Sequence, residues 1–359
     1  MLKRSWCEID LNRLKENYII CKRKLENRCD ITAVVKADAY GHGAKEVALA
    51  LQKVGCKNFA VATVSEGEVL RKRGVAGKIL ILGYTPPQML KNVFKEKLCQ
   101  TVFSKEYADL VCKERLPLEI QIAVDTGMNR IGFKWENDSE IIETIENLSK
   151  NHSIGGLFTH FACADDDYSE FTEKQKERFL WLTKKLKNKI KDCWHFSNSD
   201  YFLKDKGDFL NFVRLGICLY GLGDNLLFGI KPVMKWKSVV VMVKTIKAGE
   251  GVGYGQTFIS TCDRVIATVA TGYADGFSFA LSNSGKVEIR GKLAKIVGRI
   301  CMDMFMVDAT EILDISVGDE VVLIGEKYGA NDMAKDAKTI PYEVVCSISK
   351  RVPRIYLGE

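Results

Sequence analysis

The sequence has few of the features that mark metal-binding or secreted proteins. Its 12 cysteines are spread singly from Cys7 to Cys346, and no two form a Cys-x-x-Cys pair, so neither a zinc ribbon nor a disulfide framework is indicated. Cys99, Cys193 and Cys218 lie inside apolar runs, where a cysteine acts as a small core residue in a reducing compartment. Only four histidines are present, and we predict no metal site.

Long apolar runs and blocks of like charge are also missing. Residues 1–10 contain no signal-peptide core, and no run approaches the length of a membrane span. The formal net charge of +7 comes from lysines scattered among glutamates, as between residues 170 and 191, which is typical of solvated helix faces. We therefore predict a cytoplasmic protein with no nucleic-acid partner and no membrane contact by this chain. A membrane anchor in a longer parent chain is left open.

What is present is a regular alternation of strand-like and helical patterns. With 47% hydrophobic and 28% charged residues in 359, the chain predicts one large soluble domain and a smaller one. The predicted strands are 32–36, 59–63, 78–82, 100–103, 118–124, 154–159, 193–197 and 212–215, and the clearest helices are 46–54, 139–148 and 171–186. About eight such units predict a (βα)₈ barrel, with a doubly wound open sheet as the alternative.

After residue 231 the helical periods give way to strand-like segments separated by glycine turns. The predicted strands here are 238–246, 264–271, 286–290, 295–300 and 320–324. We therefore predict an α/β chain with a (βα)₈ barrel domain at residues 1–231 and a β-rich domain at residues 232–359. In a barrel, catalytic side chains follow the carboxyl ends of the strands.

Lys36 stands at such a strand end, where an apolar run stops before a tyrosine and two glycines. Desolvation at this position favours the free amine that covalent chemistry with a carbonyl compound requires. A lysine that merely extends from the end of a strand into water is the alternative. Lys36 alone does not decide between these interpretations.

Further motifs occur in order along both predicted domains. They read VVKADAYGHG at 34–43, DTGMNRIG at 125–132, THFA at 159–162, SNS at 197–199, VRLGI at 213–217, GYG at 253–255, GYADG at 272–276 and CMD at 301–303. Together they resemble the alanine racemases, which depend on pyridoxal 5'-phosphate (PLP). Any one of them alone is weak. The resemblance implies a racemase that interconverts L- and D-alanine and supplies D-alanine for peptidoglycan of the cell wall.

The resemblance implies a two-base mechanism. Lys36 is expected to carry the cofactor covalently and to act as one base, and Tyr254 as the second base on the opposite face of the substrate Cα. An unperturbed tyrosine titrates near about 10, so Tyr254 needs hydrogen bonding or positive charge nearby to act at neutral pH. His160 and Arg214, with His195 behind them, are implied to supply it.

The remaining site residues are also implied by the resemblance. Arg214 is expected to face the pyridine nitrogen, where a permanent cation weakens the ring as an electron sink. Arg130 is expected to contact the cofactor and the substrate carboxylate, Met302 the same carboxylate, and Tyr273 the substrate entrance. The expected phosphate donors are Tyr40, Ser199, Gly216, Ile217 and Tyr342.

One position departs from the family pattern. Many relatives carry a carbamylated lysine that orients the arginine matching Arg130, and this chain has Ala123 there. Arg130 must be oriented differently, by Asn129, by a bound anion or by another acid. The resemblance also implies a homodimer in which Tyr254 and Met302 meet Lys36 of the other chain.

Three other functions stay open. A serine racemase of the glycopeptide-resistance type has the same fold, although Tyr342 beside the substrate methyl group favours alanine. A non-catalytic protein of PLP homeostasis lacks the β-rich domain and the tyrosine at 254. A metal hydrolase on a barrel would use acidic residues such as those at 165–167, which we interpret as a solvated loop.

Overall fold

The computed structural model describes residues 4–166, 169–190, 193–204, 209–223 and 228–358. Contacts group them into a barrel unit, residues 15–39 and 44–219, and a β-rich unit, residues 4–14, 40–43 and 220–358. The division predicted between residues 231 and 232 follows chain order alone and stays a prediction. Among the helices within these ranges, none combines the length and apolar character that a bilayer crossing requires.

The strands and helices follow each other along the chain in a largely alternating order. The strands are β1 (Ser5–Asp10), β2 (Asp30–Val34), β3 (Asn58–Val61), β4 (Lys78–Ile81), β5 (Cys99–Val102), β6 (Glu119–Asp125), β7 (Phe133–Lys134), β8 (Ser153–Phe158), β9 (Trp194–His195), β10 (Phe212–Leu215), β11 (Met234–Ile246), β12 (Gly251–Val252), β13 (Phe258–Ile259), β14 (Arg264–Val269), β15 (Lys286–Ile289), β16 (Lys292–Lys295), β17 (Phe305–Asp308), β18 (Glu320–Ile324) and β19 (Arg354–Leu357). The helices are α1 (Leu11–Leu25), α2 (Lys36–Tyr40, with left-handed φ at residues 37–40), α3 (Ala44–Lys53), α4 (Val64–Lys72), α5 (Leu90–Lys95), α6 (Lys105–Lys113), α7 (Asp138–Leu148), α8 (Glu170–Leu186), α9 (Ser199–Leu203), α10 (Ala330–Asp336) and α11 (Pro341–Cys346).

The barrel unit is a nearly closed ring of eight parallel strands. Its order is β10-β2-β3-β4-β5-β6-β8-β9, with the short β7 paired beside β6. Between β9 and β10, the Asn211 N–H donates to the Trp194 carbonyl and the Arg214 N–H to the Ser197 carbonyl, each at 3.0 Å. Parallel strands covered on both faces need continuous apolar runs, as in the buried Ile79, Leu80 and Ile81 of β4. The predicted (βα)₈ barrel is confirmed.

Helix α8 shows how the ring is covered. Its buried residues recur every three or four positions, so that one side faces the strands; they are Thr172, Gln175, Phe179, Leu182 and Leu186. The predicted helix 171–186 is confirmed within one residue. All twelve cysteines are free, and the three predicted as core residues are buried, Cys99, Cys193 and Cys218.

The β-rich unit is built around β11, which pairs antiparallel with β1, β14 and β18. Strand β1 also pairs in parallel with β19, so the first and last strands lie side by side. Below this sheet, Phe277 stacks on Phe305 with ring centroids 4.6 Å apart and meets Trp236 edge-on at 5.7 Å. The predicted β-rich fold after residue 231 is confirmed.

One strand prediction here is wrong. The segment 295–300 is not a continuous strand, because β16 ends at Lys295 and Ile296 forms only an isolated bridge to Val307. Gly298 then takes a φ of +77°, and a Cβ on it would lie 2.5 Å from the carbonyl oxygen of Val252. The chain turns there because glycine alone fits this conformation and this close approach.

Candidate active site

The barrel-unit residues singled out by their motifs lie at carboxyl ends of strands. Lys36 follows β2, Arg130 follows β6, His160 follows β8, Ser199 follows β9 and Gly216 follows β10. In a parallel barrel these ends share one face. The predicted placement of polar side chains after strands is thus what the structure shows, whereas their roles are not tested by position alone.

Arg214, in β10, is the most completely bonded of these side chains. It is 5% exposed. One terminal nitrogen, Nη1, donates to Nδ1 of His195, and the other, Nη2, donates to Nδ1 of His160 at 3.0 Å. Nη2 also donates to the carbonyl of Thr159 at 2.8 Å and to that of Phe196 at 3.2 Å. The guanidinium plane is therefore fixed.

These contacts determine the protonation of both histidines. An arginine only donates, so both Nδ1 atoms accept and each neutral ring carries its proton on Nε2. The His195 Nε2–H accordingly donates to Oε1 of Gln121 at 2.8 Å. Burial, then the charge of Arg214, lowers the pKa of His195 well below its usual value. Burial, then Arg214, Arg130 and Lys36, lowers the pKa of His160 to about 3. His160 thus has an Nε2–H available to donate.

The surroundings of His160 are cationic. The charges acting on its pKa are those of Arg214, Arg130 and Lys36. Burial, then the Arg130 charge, lowers the pKa of Arg214 to about 9, so Arg214 is still a cation at neutral pH. A cluster of three cations with hydrogen-bond donors suits a ligand with several anionic groups.

Arg130 itself has no partner among the residues that the structure describes. No hydrogen bond or ion pair joins its exposed guanidinium to any other described residue, and Ala123 is 2% exposed. Asn129 does not hold it, because its amide nitrogen donates instead to the carbonyl of Gly127 at 3.4 Å. Of the three candidates for orienting Arg130, a side-chain contact from Asn129 is therefore excluded.

The loop that carries Arg130 is tied to α8 by two side chains that the sequence did not single out. Gln175 is fully buried; its Nε2 donates to Thr126 Oγ1 and to the His160 carbonyl, both at 3.1 Å, and its Oε1 accepts from the Ala162 N–H at 2.8 Å. One turn later, Arg178 donates to the Thr126 carbonyl at 2.7 Å. The strand ends after β6 and β8 are thereby held together.

Lys36 precedes an unusual backbone segment. Ala37, Asp38, Ala39 and Tyr40 have φ values of 51° to 53°, which is the left-handed region. For an L-residue this conformation costs roughly 1–2 kcal/mol, and it occurs as single residues and not as runs. Such a segment persists only where the surroundings fix it.

Ser199 and Gly216 form a small polar site at the ends of β9 and β10. Ser199 begins α9, after the cap residue Asn198, and its Oγ accepts from the Gly216 N–H at 3.0 Å. Ile217 follows and begins a 3₁₀ turn with its side chain 2% exposed. A hydroxyl and backbone amides at turn starts are suitable donors for a phosphate group.

In the β-rich unit, the predicted substrate-side residues are exposed. Tyr254 is 71% exposed between Gly253 and Gly255, Met302 54% and Tyr273 45%. None of the described residues covers these three side chains.

Two further tyrosines of the β-rich unit pack together. The Tyr40 ring lies 5.9 Å from that of Tyr342 and 5.2 Å from that of Tyr220. Tyr40 is 7% exposed and Tyr342 is half-buried. Their mutual packing is established by the structure, and their role toward a phosphate stays a prediction.

The two loops that carry Tyr273 and Met302 share an ionic network. Asp275 is 1% exposed and accepts a two-point contact from Arg4, at 2.9 and 3.2 Å, and a contact from Arg351 at 2.9 Å. Arg4 also donates to the Asp303 carbonyl at 2.7 Å. A Cβ at Gly272 would lie 2.4 Å from the carbonyl oxygens of both Cys301 and Met302.

Comparison with known proteins shows the family. The N-terminal domain of alanine racemase matches residues 9–224 and the C-terminal domain matches residues 233–356. The chain belongs to the alanine racemase family.

Relatives and solved structures agree along the whole chain. Alanine racemase 1 of Clostridium acetobutylicum is 41% identical, covering 98% of this chain and 95% of that protein. The alanine racemase of Halothermothrix orenii is 42% identical, with coverage of 98% and 96%. The structure is similar to alanine racemase from Clostridium difficile 630, with a TM-score of 0.93, 40% identity and coverage of 99% and 96%. Alanine racemase from Bacillus anthracis with bound L-Ala-P gives 0.92 at 32% identity, with coverage of 100% and 96%.

The predictions of the family, the fold and a racemase enzyme are therefore confirmed. Alanine racemases are PLP-dependent isomerases that interconvert L- and D-alanine.

Within the described ranges, no group of histidine, cysteine or acidic residues could hold a metal ion. Of the acidic triplet at 165–167, Asp167 lies outside the described residues.

The donors in the barrel unit fit PLP. A lysine amine stands at a strand end for an aldehyde. The Ser199 hydroxyl, whose oxygen accepts from the Gly216 N–H, keeps its own O–H to donate to a phosphate. The Nε–H of Arg214 has no acceptor among the described residues, and it suits an unprotonated pyridine nitrogen, which accepts and does not donate. These groups match the aldehyde, the phosphate and the pyridine nitrogen of the alanine racemase cofactor.

Several residues of this alanine racemase site were missed from sequence. Gln121, Gln175 and Arg178 support the motif residues without belonging to a spacing pattern that sequence reasoning could use. Asp275 lies within the GYADG motif, but no role was predicted for it. Glu66 had a readable signal, because Thr63 three residues earlier forms a capping box with it at the start of α4. That signal predicts a helix start and says nothing of Lys36.

Proposed function

We propose that this chain interconverts L- and D-alanine with PLP as cofactor and that Lys36 and Tyr254 are its two bases. The observation that carries the proposal is Arg214, a buried cation whose bonds to two neutral histidines leave an Nε–H on His160 and its own Nε–H available. The full-length similarity to alanine racemases supports the reaction. D-alanine for peptidoglycan is the corresponding cellular product, and the cytoplasmic location predicted from the scattered cysteines belongs to the same proposal.

Bound PLP would withdraw electrons from the substrate Cα and so make its proton acidic. Lys36 Nζ would remove the proton from one face, and Tyr254 Oη would deliver a proton to the other. A single base would have to change sides to do both. The His160 Nε2–H would donate to the Tyr254 oxygen of a second chain and stabilise its deprotonated form.

The two arginines are proposed to bind different groups of the cofactor and the substrate. Arg214 would face the pyridine nitrogen, and the permanent charge there opposes its protonation. Arg130, whose guanidinium has no partner in the described part of the chain, would bind the substrate carboxylate together with Met302. Tyr273 would line the entrance. Ser199, Gly216 and Ile217 are proposed phosphate donors, as are Tyr40 and Tyr342.

We propose a homodimer in which Tyr254 and Met302 of one chain complete the site of the other. The exposure of 71% for Tyr254 and 54% for Met302 supports a contribution to a second chain. Mixing Lys36→Ala with Tyr254→Phe, each inactive, would give heterodimers with one intact site. Random exchange of subunits would restore about a quarter of wild-type activity. No recovery after demonstrated exchange would exclude the shared site.

The reaction is tested by incubating the PLP-loaded protein with L-alanine in D₂O. We expect D-alanine and deuterium at Cα, and neither with Lys36→Ala. Absence of both from the wild type would refute the proposal. Measuring kcat/KM for alanine and serine side by side separates the serine racemase alternative, which would show the larger value for serine.

A further inference from the structure

The left-handed segment after Lys36 is held by two carboxylates, one of its own and one from another helix. Residues 37–39 have φ of 51° to 53° and ψ of 47° to 50°, a conformation that glycine would take without cost but that none of these residues favours. Asp38 Oδ1 accepts from the Ala44 N–H at 2.8 Å and so begins α3. Glu66, from the next helix of the barrel, holds the first residue of the segment.

Glu66 divides its two oxygens between two backbone sites. Its Oε1 accepts from the Ala37 N–H at 2.7 Å, and its Oε2 accepts from the Ala62 N–H at 2.7 Å and from the Thr63 N–H at 3.4 Å. The first of these bonds reaches the residue after Lys36, and the others lie at the end of β3. Because β2 and β3 are paired neighbours, Glu66 fastens the end of one strand to the end of the other.

We propose that Glu66 is a positioning residue for Lys36, given the role proposed above for that lysine. By bonding the Ala37 N–H it fixes the left-handed turn, and the turn sets the direction in which the Lys36 side chain leaves the end of β2. Capping of α4 alone would require only Oε2, which accepts from the Thr63 N–H. The bond from the Ala37 N–H to Oε1 has no part in the helix cap and holds the turn after Lys36.

The chemistry predicts a graded response. A carboxylate offers an acceptor to each backbone site, whereas glutamine offers one acceptor and one donor, so Glu66→Gln would lose one of the two attachments and place N–H against N–H. Glu66→Ala would lose both. Hydrogen bonds to charged groups of this kind predict a loss of about tenfold in kcat for Glu66→Gln and up to about a hundredfold for Glu66→Ala, with KM for alanine little changed.

Two variants serve as matched controls. Thr63→Ala removes the other half of the capping box, in which Thr63 Oγ1 accepts from the Glu66 N–H, and leaves the Ala37 bond in place. Glu68→Gln lies on the same helix and changes a carboxylate that accepts from the Asn92 amide. If fraying of α4 were the cause, Thr63→Ala would reproduce the loss in kcat, and that result would overturn the inference.

Two readouts besides activity complete the test in the PLP-loaded protein. Amide hydrogen exchange is followed by mass spectrometry in the peptide containing Ala37, and the fraction of Lys36 that carries cofactor is measured in peptides after borohydride reduction. We expect faster exchange and lower occupancy in the order wild type, Glu66→Gln, Glu66→Ala, and wild-type values in both controls. Unchanged exchange in Glu66→Ala overturns the inference, as does equal occupancy of Lys36. Absence of cofactor from Lys36 of the wild type would instead refute the proposed function and this inference with it.

Discussion

Replacing His195 by glutamine tests whether the folded His195 ring, which accepts a hydrogen bond from Arg214, is neutral. His195 is 2% exposed, and burial followed by the Arg214 charge holds its pKa well below the ordinary value of 6.5. In the unfolded chain the same ring titrates near about 6.5. Below that pH the unfolded state binds more protons than the folded state. The contribution of His195 to the free energy of unfolding therefore has its full value above pH 6.5 and decreases as the pH falls.

The size of the effect follows from the pKa of the unfolded ring and from the folded ring staying neutral over the pH range tested. Each unit of pH below 6.5 removes about 1.4 kcal/mol as long as the folded ring stays neutral. Between pH 7.5 and pH 5.0 this amounts to about 2 kcal/mol for His195, after allowing for partial protonation near the unfolded pKa. His195→Gln cannot titrate, so its loss of stability over this range is expected to be about 2 kcal/mol smaller than that of the wild type.

Urea unfolding at both pH values and one protein concentration, without added cofactor, measures the difference. Gln121→Met is the matched control: it removes the acceptor of the His195 Nε2–H and lowers stability at both pH values, but it leaves the ring titratable and the pH dependence unchanged. Equal pH dependence in His195→Gln and wild type would show that the folded ring takes up a proton at the same pH as the unfolded one. That outcome would contradict its role as an acceptor from Arg214.

Three further substitutions test the supports of the site. Asp275→Asn leaves two half-exposed arginines without their shared carboxylate, and we expect about 2 kcal/mol lower stability by urea unfolding with a raised KM for alanine; an unchanged KM would separate the network from the substrate loops. Gly272→Ala forces a Cβ to within 2.4 Å of two carbonyl oxygens, so a raised KM and a loss of about 1–3 kcal/mol are expected, and wild-type kinetics would argue against the close approach. Gln175→Met leaves buried backbone groups without a hydrogen-bond partner, so we expect the free energy of unfolding to fall by about 3 kcal/mol and kcat to fall. Lys174→Gln, on the exposed side of the same helix, is the control and is expected to stay within about 0.5 kcal/mol of wild type. Equal effects of the two substitutions would refute the anchoring role of Gln175.

The alternation of buried runs and helical periods was enough to predict the barrel. Parallel strands leave a strong signal because they are mostly apolar, as the agreement at 212–215 illustrates. In the β-rich unit the antiparallel strand 320–324 was predicted with the same bounds that the structure shows. The segment 295–300 failed because apolar residues also line a turn that packs inward. The apolar residues of this segment correctly indicate burial, but they do not indicate that the backbone turns at Gly298.

Strand β1 was missed for a different reason. Ser5–Asp10 alternates buried and half-exposed residues, but its partners β11 and β19 lie more than 220 residues away. Local patterns cannot supply such a pairing. The same limit applies to the site: motifs identified the residues with chemical roles, whereas Gln175, Arg178 and Glu66 act through contacts with distant backbone atoms. Local propensity also gives no hint of a left-handed run, since Ala37 and Ala39 favour the ordinary helix.

The position of β1 between β11 and β19 has a consequence for synthesis of the chain. Strand β1 is synthesised long before β11 and β19, its two partners. The barrel strands can pair as they emerge, whereas β1 has no strand partner until β11 has been made, and it stays at the edge of its sheet until β19 follows. Before β11 is made, β1 is an unpaired strand next to a growing chain. A protein fragment that begins after the barrel would lack β1 between β11 and β19, and adding back a peptide of residues 4–14 is the simplest way to fill this gap.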